Sequence, residues 1–160
     1  MRRKVKNRRS LVADPVYDSI KVSKLVNYLM MRGQKATARG LVYGALANIK
    51  EITKIEPLEV FEEALKNAGP VMELRSRRVG GANYQIPHEV SPARRLTLAL
   101  RWIVEAARSK KGEPMRAKLA KEILAASKNE GEAIKKRETI HRMAEANRAF
   151  AHFARSYVKR

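Results

Sequence analysis

The sequence predicts a mainly α-helical single domain of about six helices, with one two-stranded β-hairpin protruding between the third and fourth helices. Three observations lead to this fold class. The chain has 160 residues, of which 44% are apolar, and this is enough for one core. Through most of the chain apolar residues recur every three or four positions, as on one face of a helix. Between residues 72 and 90 they alternate instead, as in a strand.

Residues 1–17 are predicted to form a basic extension, ahead of a single helical domain at 18–157 and a basic C-terminal end at 158–160. The first ten residues hold six cations and no acid, with too few apolar side chains to order by themselves. We expect this tail to bind a polyanion, although the alternative of a merely solubilising tail is open. Its cations are Arg2, Arg3, Lys4, Lys6, Arg8 and Arg9.

Three helices are predicted before the hairpin, at about 18–33, 35–52 and 57–67. Asp18 or Ser19 suits a helix cap, Pro57 suits a first helical position, and glycines follow the first and third helices. The side chains expected to face inward are Val22, Leu25, Val26, Leu29, Met30, Ala38, Leu41, Val42, Ala45, Leu46, Ile49, Phe61, Ala64 and Leu65.

The hairpin arm is predicted at about 72–90, with a turn formed by the four residues 80–83. Glycine tolerates the positive φ angles that a tight turn requires. Arg77 and Arg78 are adjacent and point to opposite faces of the ribbon, so the outer half cannot be buried against protein on either face. Two strands alone are marginally stable in water, and we therefore expect a polyanionic partner to hold the tip.

Three further helices are predicted at about 92–108, 114–128 and 132–157. Ser91 and Pro92 precede the first of them, and glycines separate it from the second and the second from the third. The side chains expected inside are Leu96, Ala99, Leu100, Ile103, Ala107, Leu119, Ala120, Ile123, Leu124, Ile140, Met143, Ala144, Phe150 and Ala151.

The net charge indicates the class of partner. There are 35 Lys and Arg against 16 Asp and Glu, a net charge of +19, which favours a polyanion. No apolar run approaches the roughly 20 residues of a membrane span, so we expect nucleic acid rather than membrane, and a cytoplasmic location. The absence of cysteine rules out disulfides and thiolate sites. Residues 51–73, with six acids and two bases, are predicted to face away from the polyanion.

No catalytic residue, metal ligand or cofactor is predicted. Glu138 and His141 have the Glu-x-x-His spacing of di-iron bundles, but those sites need the motif on two helices with further carboxylates. Here the motif is surrounded by Lys135, Lys136 and Arg137, which is typical of a solvated basic face. Neither a nucleophile elbow nor a phosphate-binding glycine loop is present.

Trp102 has two interpretations. It follows Arg95 by seven residues, which places both on one line of a helix, and an aromatic ring beside a guanidinium group is a platform for stacking an unpaired base. Trp102 also borders Ala99 on the apolar side, where it would belong to the edge of the core. The sequence leaves both interpretations open.

Five segments carry cations on the side away from the predicted core: the tail, the first helix, the arm, the fourth helix and the last helix. This agreement favours a nucleic-acid-binding protein over a chain with one solvated charged face. The alternatives are a DNA-binding regulator or architectural protein, since helices and a basic ribbon also enter grooves, and a helical-bundle enzyme.

Three blocks of sequence closely resemble ribosomal protein seven of the bacterial-type small subunit. They are SRRVGGANYQIP at 76–87, the segment 94–108 that ends LRWIVEAAR, and KKRETIHRMAEANRAFAH at 135–152. The resemblance implies a non-enzymatic ribosomal protein that works in translation. It implies binding to the 3′ major domain of small-subunit rRNA early in assembly, and an arm near the exit-site tRNA and the mRNA exit path. Ribosomal protein eleven and other proteins of the head are the implied protein partners.

The resemblance also assigns residues to these two tasks. The arm near tRNA and mRNA includes Arg77, Arg78, Gly80, Gly81 and Tyr84. Besides the tail, the positions implied to face rRNA are Lys35, Arg75, Arg94, Arg95, Arg101, Trp102, Lys110, Lys111, Lys135, Lys136, Arg137 and Arg142.

Overall fold

Six α-helices and one β-hairpin make up the computed structural model, which describes residues 11–79 and 81–152. The tail cations at 2–9, Gly80 and the C-terminal end at 158–160 lie outside these residues. The predicted fold class is confirmed, because the hairpin stands between the third and fourth helices. The elements are α1 Ile20–Leu29, α2 Lys35–Thr53, α3 Pro57–Ala68, β1 Met72–Val79, β2 Ala82–Glu89, α4 Pro92–Ser109, α5 Met115–Ser127 and α6 Glu132–Ala146.

Helix α5 forms the centre of the core, where it packs against α2, α3 and α4. The helical periodicity predicted the large buried side chains well: Leu25, Leu46, Phe61 and Ile103 are all fully buried, and each such burial contributes about 1.5–3 kcal/mol. Met143 was predicted inside but is 50% exposed. The buried residues of α6 are Ala133, Ile134 and Ala144.

Helix α1 is shorter than predicted and ends at Leu29 instead of residue 33. Arg108, from α4, donates from Nη2 to the carbonyl oxygens of Tyr28 at 3.4 Å and Leu29 at 3.0 Å. An arginine from a distant part of the chain thus satisfies carbonyls that another helical turn would have used.

The single last helix predicted to residue 157 is wrong within the described part of the chain. Helix α6 ends at Ala146, and a short 3-10 helix, Arg148–Ala151, follows it. Asn147 donates from its side-chain nitrogen to the Met143 carbonyl at 2.7 Å, which closes the end of α6. The 3-10 turn places Phe150 against Tyr84 of the arm, with ring centroids 5.1 Å apart, and this tertiary contact overrides the helical pattern.

The arm is an antiparallel pair whose register runs from Met72 opposite Glu89 to Val79 opposite Ala82. The predicted four-residue turn is therefore too long, because Ala82 and Asn83 belong to β2. The two strands close between Val79 and Ala82, and Gly81 in this connection has φ +93, an angle that glycine adopts without strain. The arm is an edge ribbon that packs against α6 and the 3-10 helix.

None of the helices in the described residues is long and apolar enough to cross a membrane.

Candidate nucleic-acid interface

The outer side of α4 is the middle of a basic surface that spans three helices. Arg94, Thr97 and Arg101 follow one another at intervals of three and four residues, which places them on one side of the helix. Arg94 and Arg101 are exposed and Thr97 is half-buried. Helix α4 packs against both α1 and α6, so this stripe has a helix on either side.

Two shallow depressions connect α4 to its neighbours. Lys24, Asn27 and Tyr28 of α1 line the first together with Thr97. Lys135, Lys136 and Thr139 of α6 line the second, above Trp102 and Ala106. We call this surface the three-helix face, defined by Lys24, Asn27, Tyr28, Arg94, Thr97, Arg101, Lys135, Lys136 and Thr139.

The acids on the three-helix face make exposed ion pairs only. Lys135 Nζ lies 2.8 Å from Glu132 Oε1, and Lys136 Nζ lies 2.6 Å from Glu105 Oε2. The hydrogen bond from Lys135 holds the pKa of the Glu132 carboxyl below its usual range. Exposed pairs of this kind are screened by water and add little to stability, so both lysines can exchange their carboxylate for a phosphate at little cost.

Trp102 belongs to the core. It is 4% exposed, and a ring buried to this extent offers no face to a base. The structure therefore decides between the two interpretations of Trp102: the core interpretation is confirmed and the stacking platform is wrong. The side chain instead forms the floor of the depression between α4 and α6.

Arg95 and Arg137, both predicted to face rRNA, bind the C-terminal end of α3. Arg95 donates to the Gly69 carbonyl at 3.1 Å and to the Lys66 carbonyl at 3.2 Å. Arg137 donates from Nη1 to the Asn67 carbonyl at 2.5 Å. Cations are favourable at this end of a helix, where carbonyl groups lack partners. These two guanidinium groups join α3 to α4 and α6.

Lys110, another predicted rRNA contact, neutralises a buried acid. Its Nζ lies 2.5 Å from Oε2 of Glu122, whose side chain is fully buried. The other oxygen, Oε1, accepts a hydrogen bond at 3.0 Å from the amide of Ala133 in the first turn of α6. The lysine therefore compensates a carboxylate that caps α6 from α5. Nothing in the spacing of Lys110 and Glu122 indicated this pair.

One end of the bundle gathers exposed cations near the end of α1. Arg108 joins the end of α4 to the end of α1, and Lys111 follows α4 in the chain. Arg32, in the connection between α1 and α2, and Lys35, at the start of α2, are exposed, as is Lys111. Sequence reasoning selected Lys35 and Lys111 but missed Arg32, and it also omitted Lys24, Asn27, Tyr28, Thr97 and Thr139 from the candidate contacts. For α1 the sequence did contain a signal for these contacts, because the cations on its outer side were recognised.

The base of the arm is fixed by an acid between two arginines. Glu73 is 8% exposed; its Oε1 accepts from Arg75 Nη2 at 2.7 Å and its Oε2 from Arg94 Nε at 3.1 Å. Burial alone would raise the pKa of Glu73, but the hydrogen bonds from both arginines outweigh burial and lower it. Since Arg94 also lies on the three-helix face, this cluster connects the arm to that face.

The tip of the arm is more exposed to solvent than its base. Arg78 and Gly81 are exposed and Arg77 is half-buried, while Tyr84 packs against Phe150. Of the five arm positions predicted, Arg78 and Gly81 are thus presented to solvent, and Tyr84 helps to hold the ribbon. On α6, Arg142 is exposed.

The pKa values of two histidines near the arm, His88 and His141, are lowered, mainly by burial. His141 Nε2 accepts a hydrogen bond from the Val71 amide at 3.0 Å, and burial, together with Arg137 and Arg95, lowers its pKa. Burial, together with Arg75 and Arg77, also lowers the pKa of His88. The hydrogen bond from the Val71 amide therefore uses Nε2 of His141, the histidine of the Glu-x-x-His motif. Within the described ranges no group of three or more potential ligands could hold a metal.

Comparison with known proteins gives one family. The family model described as Ribosomal protein S7p/S5e matches residues 1–148. The small ribosomal subunit protein uS7 of Thermotoga neapolitana is 59% identical over 153 residues, covering 96% of this chain and 99% of the relative. The proteins of the same name from Thermotoga maritima and Lactococcus lactis are 58% and 54% identical with the same coverage.

Proposed function

Because the chain belongs to the ribosomal protein S7p/S5e family, we propose that it binds the 3′ major domain of small-subunit rRNA early in assembly and helps to organise the head of the subunit. Family membership itself makes the chain a structural component of the small ribosomal subunit, associated with its rRNA and acting in translation. It also makes the chain a ribosomal structural protein and not an enzyme.

The three-helix face is the observation that supports rRNA as the ligand. Lysine and arginine on three helices supply contacts to phosphates, which position a folded RNA without reading its sequence. Asn27, Tyr28, Thr97 and Thr139 lie among these cations, and their polar groups suit the 2′-hydroxyls that distinguish RNA from DNA. A surface built from separate elements fits the irregular shape of an RNA junction better than a single groove.

The arm carries the second part of the proposal. We place its tip, with Arg77, Arg78, Gly80 and Gly81, beside the exit-site tRNA and the mRNA exit path, in the neighbourhood of ribosomal protein eleven and other head proteins. The Glu73 cluster and the contact between Tyr84 and Phe150 support this placement because they stiffen the ribbon as far as its outer half. A stiff ribbon can carry an exposed arginine such as Arg78 to a fixed point.

Equilibrium binding to a head-domain rRNA fragment and to duplex DNA tests the function. The double variant Lys24→Ala, Arg101→Ala removes two cations of the three-helix face. Its matched control, Lys50→Ala, Lys128→Ala, removes two exposed cations from α2 and from the end of α5. We expect the first pair to weaken rRNA binding at least tenfold and to flatten its log-log salt dependence by about 0.7–0.9 for each lost phosphate contact. The control should change little.

Two results would count against the proposal. Equal losses in the two double variants would show that net charge, and not the three-helix face, controls binding. Tighter binding to duplex DNA than to the rRNA fragment at the same salt concentration would favour the DNA-binding alternative.

A further inference from the structure

Three exposed apolar side chains belong to a surface of this protein that is not basic. Val16 is 64% exposed, Ile20 is 52% exposed and Ile55 is 51% exposed. Val16 precedes α1, Ile20 is the first residue of α1, and Ile55 lies in the connection between α2 and α3. Single apolar side chains scattered over a surface are normal, but a group of them marks an interaction site.

Two contacts bring these side chains to one part of the molecule. Lys21 Nζ, at the start of α1, lies 2.5 Å from Glu62 Oε1 in α3. Burial, and after it the nearby carboxylate of Glu56, raises the pKa of Tyr17. Each of the three apolar side chains is the chain neighbour of a residue in one of these contacts. The segment 16–21 therefore runs beside α3, and its exposed apolar side chains share a surface with those at the start of that helix.

A buried acid holds this segment in place. Asp14 is 2% exposed, and its Oδ2 accepts a hydrogen bond from the Tyr43 hydroxyl at 2.8 Å. The same oxygen accepts from the Val16 amide at 3.2 Å and from the Tyr17 amide at 3.4 Å. The backbone beside the exposed apolar side chains is thus already ordered, so a partner that covers them has little conformational entropy to remove.

The charge around these side chains selects the class of partner. Glu56, Glu59 and Glu63 are exposed, and in the part of the chain that the structure describes, the exposed acid of α3 with an ion-pair partner is Glu62. Carboxylates repel the phosphates of rRNA and attract the lysine and arginine of a protein. We call this surface the acidic apolar face, defined by Val16, Ile20, Ile55, Glu56, Glu59 and Glu63.

We propose that the acidic apolar face binds a basic segment of another protein of the small subunit. Apolar side chains of that segment cover Val16, Ile20 and Ile55, and its lysines and arginines pair with the carboxylates around them. The apolar contact supplies affinity, and the charges at the rim set the choice of partner and its orientation. The proposal rests on the chain's place in the small subunit, where the three-helix face serves rRNA and the acidic apolar face serves protein.

Photo-crosslinking in assembled small subunits tests the proposal. The probe p-benzoylphenylalanine, in place of Ile20, should crosslink on irradiation to one ribosomal protein, within a segment rich in lysine and arginine. Adding Glu59→Lys, Glu63→Lys should lower the yield per assembled subunit at least fivefold, because like charges then face the partner. The matched control Glu130→Lys, Glu138→Lys, at exposed positions outside the face, should leave the yield unchanged.

A second variant tests the apolar part without adding charge. With the probe again in place of Ile20, Val16→Ser, Ile55→Ser should lower the yield at least threefold, because the partner then covers less apolar area. Yields that stay at the original level in both this variant and the charge-reversed variant would overturn the proposal.

A probe in place of Thr97, on the three-helix face, separates this proposal from the proposed function, because it should crosslink rRNA. If the Thr97 probe reaches rRNA while the Ile20 probe crosslinks rRNA, a second copy of this chain or nothing, the docking proposal alone is overturned. If the Thr97 probe fails to reach rRNA, the rRNA interface is contradicted, and the Ile20 products still decide the docking proposal.

Discussion

Several cations of this protein stabilise the fold through contacts that the sequence does not predict. Arg95 and Arg137 bind carbonyls at the end of α3, and Arg108 binds those at the end of α1. In each pair the partners are separated by 26 to 80 positions, so no local pattern predicts them. A cation on the outer side of a predicted helix can therefore belong either to an interface or to a tertiary cap.

Lys110 and Lys111 provide a test of this distinction, because they are adjacent and carry the same charge. Lys110→Ala would leave the buried Glu122 carboxylate without its cation, and we expect a loss of about 2–3 kcal/mol in the free energy of unfolding. Lys111→Ala, at an exposed position, should stay within about 0.5 kcal/mol of the wild type. Urea unfolding of the two variants gives both numbers. Equal stabilities would show that the Lys110 pair contributes nothing.

The depressed histidine pKa values predict a loss of stability on mild acidification. A folded-state pKa below the usual 6.5 means that the unfolded chain binds protons that the folded chain does not. The contribution of His88 and His141 is then complete above pH 6.5 and declines as the pH falls, by at most about 1.4 kcal/mol per pH unit for each histidine. Thermal unfolding at several pH values between 7.5 and 5 measures this slope.

The double variant His88→Gln, His141→Gln should flatten the slope, since glutamine does not titrate and can still accept from the Val71 amide. His152→Gln, at an exposed position, serves as the control and should keep the wild-type profile. If the double variant retains the full slope, other groups are responsible for it. Below pH 4.5 protonation of Glu73, whose pKa is also lowered, should add a further loss.

Among the elements, the arm depends on one buried acid for its position. Glu73→Gln removes the charge between Arg75 and Arg94, and we expect the arm to loosen at its base because both arginines lose a charged acceptor. Amide exchange along β1 should accelerate about tenfold, for a loss of roughly 1.5 kcal/mol, while exchange in α5 stays unchanged. Glu89→Gln, at an exposed position on β2, is the matched control. Equal exchange in β1 for the two variants would contradict the role of Glu73.

Element types could be predicted from the sequence, but several of their ends could not. The periodicity of Leu25, Leu46 and Ile103 placed helices correctly because burial follows it. The ends of α1 and α6 depend on contacts with Arg108 and with the arm, which lie far away in the chain. For the same reason the sequence indicated a basic surface on α4 but did not separate Arg101, on the three-helix face, from Arg95, which binds carbonyls at the end of α3.

On the scale of the whole molecule, exposed acidic and basic side chains are concentrated on different elements. Helix α3, with its exposed acids Glu59, Glu62 and Glu63, contributes nothing to the three-helix face, and Glu62 pairs with Lys21 at 2.5 Å. The cations of α1, α4 and α6 form the three-helix face. The cations of the arm form a second region, which runs from the base of the arm to its tip. The proposed function requires these two cationic regions to be used at different stages, the first in the rRNA complex and the second in the assembled subunit.

Removing cations from one region at a time tests that separation. The variant Arg77→Ala, Arg78→Ala should bind the isolated rRNA fragment nearly as tightly as the wild type, because under the proposed function the arm tip reaches its ligands only in the assembled particle. Subunits that carry it should hold exit-site tRNA less well, measured by the occupancy of deacylated tRNA.

Removing residues 1–10, which carry six cations, should do the reverse, weakening the rRNA complex and flattening its salt slope by up to about 0.9 per lost phosphate contact. An unchanged salt slope would remove the tail from the rRNA interface. A loss of fragment affinity in the arm variant as large as that of the truncation would show that the two regions act together in one contact.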